Sequence, residues 1–181
     1  MKTLILLNVL LAAACAAFGQ GVIIFANAAQ GVDAPVTNAA GSRILGPGPY
    51  VADFFWSANT NASMDGLSPF GVNAPFYTNP AQAGYFVGRG ITLPGVREGN
   101  TILAQVRVWD TTYGATYEQA RDSGGEFGFS NLILARPDEP PGGGRSLIGL
   151  QGFELQIIPE PSVGAMLLLG GSVVLLRRRL C

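Results

Sequence analysis

Glycine and proline interrupt this chain every few residues, and their spacing limits what it can fold into. The 181 residues include 25 Gly and 12 Pro, and few stretches between them show the periodicity of a helix. Proline ends regular helices, whereas short β-branched or aromatic runs bounded by Gly, Pro, Asn or Asp are typical of strands. We therefore expect an all-β fold.

The clearest strand candidate runs from Thr101 to Trp109, where apolar side chains occupy alternate positions. The period of two predicts that one set of these side chains faces a core: Ile102, Ala104, Val106 and Val108. The other strand candidates are 22–27, 50–56, 84–87, 127–134 and 147–158. A single helical turn is expected at 116–121, closed by Gly124 and Gly125. For residues 20–158 this pattern predicts an antiparallel sandwich or jelly roll.

The first 19 residues have the layout of a secretory signal peptide. Lys2 precedes an apolar stretch, 4–11, and a run of small residues follows up to Gly19. The apolar stretch is shorter than the roughly 20 residues of a lasting membrane anchor. Cleavage after Gly19 would release a body that begins at Gln20. The alternative is a lipoprotein signal in which Cys15 is lipidated after cleavage.

Residues 159–181 combine a Pro-Glu-Pro motif, an uncharged segment and a basic end. The uncharged segment, 162–176, would form about 22 Å of helix. A hydrocarbon core is about 30 Å thick, so we expect a marginal transmembrane helix. Arg177, Arg178 and Arg179 follow it. Because basic residues stay on the cytoplasmic side, the body between the two ends is expected to project outward.

This order of parts resembles the PEP-CTERM sorting signal of bacteria. The resemblance covers about the last two dozen residues. It implies that a membrane-embedded exosortase, a cysteine protease-like transpeptidase, recognises Pro159, Glu160 and Pro161. It further implies that Arg177–Arg179 retain the end in the membrane until the chain is cut near the motif. The alternative is a plain tail anchor, and we expect no role for Cys181.

The body is also similar to small PEP-CTERM proteins of unassigned activity. In those proteins a Val-Arg-Val-Trp-Asp strand end, here 106–110, precedes a Tyr-Glu turn at Tyr117 and Glu118. A Gly-Gly pair and a Ser-Asn strand, here beginning at Ser130, follow. This similarity implies a shared architecture and no particular reaction.

Composition excludes several classes of function. The chain has no histidine, so histidine-based general base catalysis and histidine-containing zinc sites are excluded. Seven arginines and all twelve acids lie between residues 20 and 160, a formal charge of −5. An acidic body does not favour nucleic-acid binding, which needs a basic face. Cysteine occurs only at positions 15 and 181, so the exported body is expected to lack disulfides.

Two polar clusters have side chains that could form chemical sites. Asn59, Asn61, Ser63 and Asp65 precede Gly66 in a partial likeness of a calcium loop, but the downstream bidentate Glu is missing. A polar loop is the favoured interpretation, and Asn61 also begins a glycosylation acceptor pattern.

Four acids follow the best strand: Asp110, Glu118, Asp122 and Glu126. Paired carboxylates could serve glycoside hydrolysis. Surface turns and ion pairs with Arg107 and Arg121 are the favoured interpretation.

Seven large aromatic side chains could include exposed rings that stack on sugars. They are Tyr50, Trp56, Tyr77, Tyr85, Trp109, Tyr113 and Tyr117. The competing use of such rings is to fill the core, which is expected for Trp56 beside Phe54 and Phe55.

The sequence as a whole indicates an exported envelope or extracellular-matrix protein with a structural or adhesive role, and not an enzyme. Its expected partners are an exosortase, the inner membrane, to which it would be attached transiently, and exopolysaccharide. No cofactor and no metal are expected. A carbohydrate-binding module is the leading alternative, and a polysaccharide hydrolase is the third.

Overall fold

The computed structural model describes residues 20–138 and 144–158. The signal peptide predicted at 1–19 and the sorting signal predicted at 159–181 lie outside the described residues. Within the described ranges the chain forms thirteen short β-strands and one α-helix. The all-β class predicted from the sequence is therefore confirmed. None of the helices in these ranges is long and apolar enough to cross a membrane.

The strands in chain order are β1 (Gln20–Phe25), β2 (Ala28–Ala29), β3 (Val32–Asp33), β4 (Val36–Thr37), β5 (Tyr50–Ser57), β6 (Ser68–Pro69), β7 (Ala74–Pro75), β8 (Arg89–Arg97), β9 (Ile102–Asp110), β10 (Phe127–Phe129), β11 (Ile133–Ala135), β12 (Arg145–Ser146) and β13 (Phe153–Glu154). The helix is α1 (Tyr117–Asp122). Two 3-10 turns span Met64–Gly66 and Pro80–Gln82.

The larger sheet is built around β9. Strand β5 pairs with β9 in antiparallel register from Tyr50, opposite Asp110, to Ser57, opposite Leu103. Along the other edge of β9, β10 and β11 pair with it one after the other. The far edge of β5 carries β7 and β6 in the same end-to-end manner. All these pairings are antiparallel.

A second sheet has the order β12, β1, β8. Strand β1 is antiparallel to β8 and parallel to β12. Two further pairs are small: β2 with β3, antiparallel, and β4 with β13, parallel. The sheets are thus mainly antiparallel with two parallel contacts, both made by segments from the last part of the body.

The main core contains side chains from both of the larger sheets. The alternate set predicted from β9, Ile102, Ala104, Val106 and Val108, is buried in this core as expected. Phe25 of β1 stacks on Phe86 with ring centroids 4.6 Å apart and meets Phe54 of β5 edge-on at 5.8 Å. Contacts of this kind stabilise a core beyond the burial of area alone.

The opposite face of β9 is covered as well, which the alternation did not predict. All nine residues of β9 are buried. The covering group is a second cluster, formed with α1 and β10: Phe55, Leu67, Leu103, Trp109, Tyr117, Ala120 and Phe127. As a result Arg107, placed on the outward-facing side of the strand by its position, becomes an interior residue.

Element boundaries differ from prediction where glycine and proline interrupt a strand. The longest missed element is β8, whose pattern is broken by Gly90, Pro94 and Gly95. Segment 84–87 contributes only an isolated bridge, between Phe86 and Phe76. Segment 127–134 divides into β10 and β11, and within 147–158 the only strand is β13.

The predicted helical turn is present as α1. Thr116 precedes it, and its hydroxyl accepts a hydrogen bond from the Gln119 amide at 3.3 Å, as a helix cap does. Gly124 follows with a φ of 75°, the left-handed conformation that favours glycine after a helix. The amide of Gly125 then bonds the carbonyl of Ala120 at 2.9 Å.

Candidate functional site

The most unusual interior group is the guanidinium of Arg107, on β9. Its central carbon lies 4.1 Å from the ring centroid of Phe55 and 4.9 Å from that of Tyr117. Its Nε donates to Gln105 Oε1 at 2.9 Å, and an Nη donates to the carbonyl of Met64 at 2.5 Å. Both aromatic neighbours belong to the second cluster, so β5 and α1 together enclose this side chain.

Charge around Arg107 is only partly balanced. Its ion pair with Glu118 of α1 is 3.5 Å long, and Glu118 is half exposed. Burial lowers the pKa of Arg107, whereas Tyr117 and Glu118 favour its charged form. Burial also raises the pKa of the Tyr117 phenol to about 12. The arrangement fixes α1 against the sheet through cation–π and hydrogen-bond contacts.

The four acids that the sequence analysis singled out are all held by nearby groups. Asp110 accepts the amide of Thr112 at 2.8 Å and its hydroxyl at 2.5 Å. Glu126 accepts the phenol of Tyr50 at 2.9 Å. Glu118 pairs with Arg107, and Asp122 pairs with its neighbour Arg121 at 2.8 Å. These contacts agree with the favoured interpretation of turns and ion pairs.

A fifth acid, Asp53 on β5, was not predicted to be special. It is buried, and its carboxylate accepts the amides of Phe54 and Gly71 at 2.8 and 2.9 Å and that of Val72 at 2.7 Å. Burial raises its pKa, while these backbone donors act in the opposite direction. Asp53 thereby joins the segment between β6 and β7 to the sheet edge.

The loop considered for calcium is organised by local backbone contacts. The side chain of Asn59 accepts the Asn61 amide at 3.0 Å, and the Asn59 carbonyl accepts the Ala62 amide at 3.1 Å. Among residues 20–138 and 144–158, no three His, Cys, Asp or Glu residues converge as metal ligands. The polar-loop interpretation agrees with this arrangement.

Four of the seven aromatic residues proposed for sugar contact are held by the fold. Trp109 and Tyr117 are buried, Trp56 packs against the main core, and Tyr50 is tied to Glu126. Tyr113 is 49 % exposed.

The remaining two rings, those of Tyr77 and Tyr85, line one open groove of about 430 Å³. This Tyr groove is bounded by Gln82, Phe86 and Arg89 as well as the two tyrosines. Sequence analysis missed the pairing of the two rings, although the mirrored Phe76-Tyr77 and Tyr85-Phe86 steps around a Pro-containing turn could have indicated it.

The end of the described body is anchored immediately before the predicted sorting motif. Phe127 of β10 and Gln156 exchange backbone hydrogen bonds of 3.0 and 2.8 Å. Ile157 and Ile158 come next, with exposed fractions of 50 % and 52 %. The motif residues Pro159, Glu160 and Pro161 and the arginines at 177–179 lie outside the described residues. Only two residues separate the last anchored position from the motif.

Comparison of the chain with protein-family models, curated proteins and solved structures found no match.

Proposed function

We propose that this protein is an exported component of the cell envelope or extracellular matrix, sorted and processed by an exosortase. The proposal rests on the order of segments: a signal peptide at 1–19, an all-β body, and a sorting signal at 159–181. Pro159, Glu160 and Pro161 would act as the substrate of the processing enzyme and not as catalytic groups. The arginines at 177–179 would hold the intermediate in the inner membrane.

The observation that carries the proposal is where the folded body ends. Gln156 is fixed to β10, and the next two side chains are half exposed. The Pro-Glu-Pro motif therefore begins close to the body but after its last described strand contact. Proline at 159 and 161 disfavours helix and turns the preceding residues toward extended backbone. A sequence that favours extended backbone, placed just after the last described strand contact, would be a suitable protease substrate.

The finer architecture is part of the same proposal. We infer an antiparallel sandwich or jelly-roll-like body, because the two larger sheets contribute side chains to one core. We also infer a single transmembrane helix in the sorting signal. A structural or adhesive role fits a body in which the four acids that follow β9, Asp110, Glu118, Asp122 and Glu126, are engaged in hydrogen bonds and ion pairs.

Intact-mass analysis of the exported protein tests this proposal. The expected mature species begins near Gln20 and lacks the segment beyond the Pro-Glu-Pro motif. A Glu160→Ala variant is expected to accumulate at its unprocessed mass in the membrane fraction. Glu154→Ala, which removes an acid from β13 within the body, is the matched control and is expected to be processed normally. A mature species that retains Arg177–Arg179 would refute processing at the motif.

A carbohydrate-binding role is the second candidate, and one observation favours it. Tyr77 and Tyr85 line the Tyr groove beside polar side chains, which is the combination of apolar surface and a few polar groups found in ligand sites. Binding of this kind is compatible with export to a polysaccharide-rich surface. The third candidate, a polysaccharide hydrolase, has no comparable support from the carboxylates described above.

A further inference from the structure

The Tyr groove is formed where two neighbouring segments run antiparallel. Phe76 and Phe86 form a bridge, and the amide of Tyr77 donates to the carbonyl of Tyr85 at 3.0 Å. Successive side chains in extended backbone point to opposite faces. Phe76 and Phe86 are buried in the core. Tyr77 follows Phe76 and Tyr85 precedes Phe86, so both tyrosines are directed to the other face. Both are partly exposed.

Two glycines contribute backbone, and no side chains, to the lining of the groove. Gly88 and Gly90 line it together with the start of β8. A Cβ added at Gly88 would lie 2.6 Å from the Cβ of Ala26. Glycine at this position therefore permits the close approach of Ala26, which also lines the groove. The groove is thus lined by two tyrosine rings together with two glycines.

A polar edge complements the rings. Arg89 is exposed, lines the groove, and forms no ion pair with any residue that the structure describes. Gln82, also exposed, adds an amide that can both donate and accept. At the rim, the Tyr85 phenol donates to Asp33 at 2.5 Å, and the guanidinium of Arg43 lies 5.8 Å from the Tyr85 ring centroid. Asp33 thus accepts a hydrogen bond from Tyr85, and Arg43 places a second cation beside the same ring.

We propose that the Tyr groove binds a carboxylate-bearing pyranose segment of an acidic polysaccharide. The apolar face of the sugar ring packs on Tyr77 and Tyr85, the Gln82 amide bonds its hydroxyls, and Arg89 pairs with its carboxylate. Arg89, which has no ion-pair partner among the residues that the structure describes, provides a local cation, whereas the formal charge of −5 over residues 20–160 opposes unspecific binding of polyanions. This inference rests on the second candidate function, carbohydrate binding at the same groove, and does not depend on the sorting route.

The test measures binding of the full chain, purified in a mild detergent, to polygalacturonate and to dextran. Affinity electrophoresis at about 0.15 M salt is suitable, because surface charges further apart than about 8 Å are then largely screened. We expect polygalacturonate to retard the protein and dextran to have at least tenfold less effect. Tyr77→Ala and Arg89→Gln are each expected to weaken binding to polygalacturonate about tenfold or more.

Matched variants distinguish the groove from the rest of the surface. Tyr113→Ala removes another exposed ring, and Arg121→Gln removes another exposed cation; both are expected to bind as the unaltered chain does. Arg89→Gln changes an exposed side chain only, so it is expected to keep the native circular dichroism spectrum.

The proposal is overturned by three results: equal retardation by the two polymers, no retardation by either, or binding that Arg89→Gln leaves unchanged. Failure of proteolytic processing would appear in the mass of the exported protein and would leave these affinities unaffected. The two proposals can therefore fail separately.

Discussion

Arg107 shows how one residue can belong to a strand and yet anchor a helix. Its stem occupies a position of β9, its guanidinium lies over the rings of Phe55 and Tyr117, and its donors reach Gln105 and Met64. The planar, delocalised guanidinium suits stacking and directed donation together, which a lysine ammonium does not. The type of cation at this position therefore matters as much as its charge.

Replacing Arg107 by lysine tests this point. Arg107→Lys is expected to lower the free energy of unfolding by about 2–4 kcal/mol, because the ring contacts are weakened and buried acceptors lose a donor. Urea denaturation measures the change. Arg121→Lys is the matched control at an exposed ion pair and is expected to stay within about 0.5 kcal/mol of the unaltered protein. Equal effects of the two substitutions would contradict the role given to Arg107.

The Tyr117 phenol makes stability depend on alkaline pH. Burial raises its pKa in the folded protein to about 12, above the ordinary value of 10.0, so between pH 10 and 12 the folded protein keeps this proton while the unfolded chain loses it. Stability from this group is complete below pH 10 and is lost as pH rises to about 12. The two-unit difference corresponds to roughly 3 kcal/mol. Tyr117→Phe keeps the ring without titrating, so its free energy of unfolding is expected to fall less between pH 10 and 12.

Parallel urea titrations at pH 9, 11 and 12 measure the slopes for the two proteins. Tyr113→Phe, at an exposed ring, serves as the control and is expected to follow the unaltered chain. If Tyr117→Phe and the unaltered chain lost stability in parallel across this range, the phenol would have no part in the alkaline transition.

At the level of elements, β10 links the helix side of the sheet to the end of the body. Phe127 packs on Tyr117, while its backbone pairs with Gln156. Gly128 lets the last segment approach closely: a Cβ there would lie 2.7 Å from Leu155 Cδ2 and 3.0 Å from the Glu154 carbonyl oxygen. Because Gly128 has no side chain, the end of the body can lie close against the sheet at this position.

Gly128→Ala is expected to loosen this end of the body. The added methyl group must displace backbone near Glu154, so we expect a loss of about 1–3 kcal/mol of stability. Hydrogen exchange of the Gln156 amide, which donates to Phe127, is expected to become faster. Gly90→Ala on β8 is the control, since a Cβ there meets only Val22 Cγ1, at 3.9 Å. Unchanged exchange at Gln156 would argue against the close contact.

The same elements show what the sequence could and could not predict. The uninterrupted alternation in β9 predicts both the strand and its core face, and Thr116 with Gly124 marks both ends of α1. Strand β8 escapes prediction because glycine and proline break its pattern although it is held by pairing with distant β1. The burial of Arg107 and the pairing of Tyr77 with Tyr85 both arise from contacts between segments far apart in sequence or across a turn. No local pattern reports such contacts directly.

For the whole molecule, packing and hydrogen bonds provide the stability of the body. The only cysteines of the chain are at positions 15 and 181, outside the body, so no disulfide can form within it. We expect the exported protein to unfold at the same urea concentration with and without a thiol reductant, because no disulfide constrains its unfolded state. Paired denaturation curves measure this. A midpoint that falls in the presence of reductant would show that a cysteine is retained and engaged in a bond.

The two backbone hydrogen bonds between Phe127 and Gln156 bear on the proposed release of the protein. Both described bonds of this pair lie upstream of Ile158, so a cut at residues 159–161, as we propose, would sever neither of them. We therefore expect the released product to need no refolding. After such a cut the new carboxyl terminus would follow directly on Ile157 and Ile158, which are half exposed, so the matured molecule would present a short apolar end.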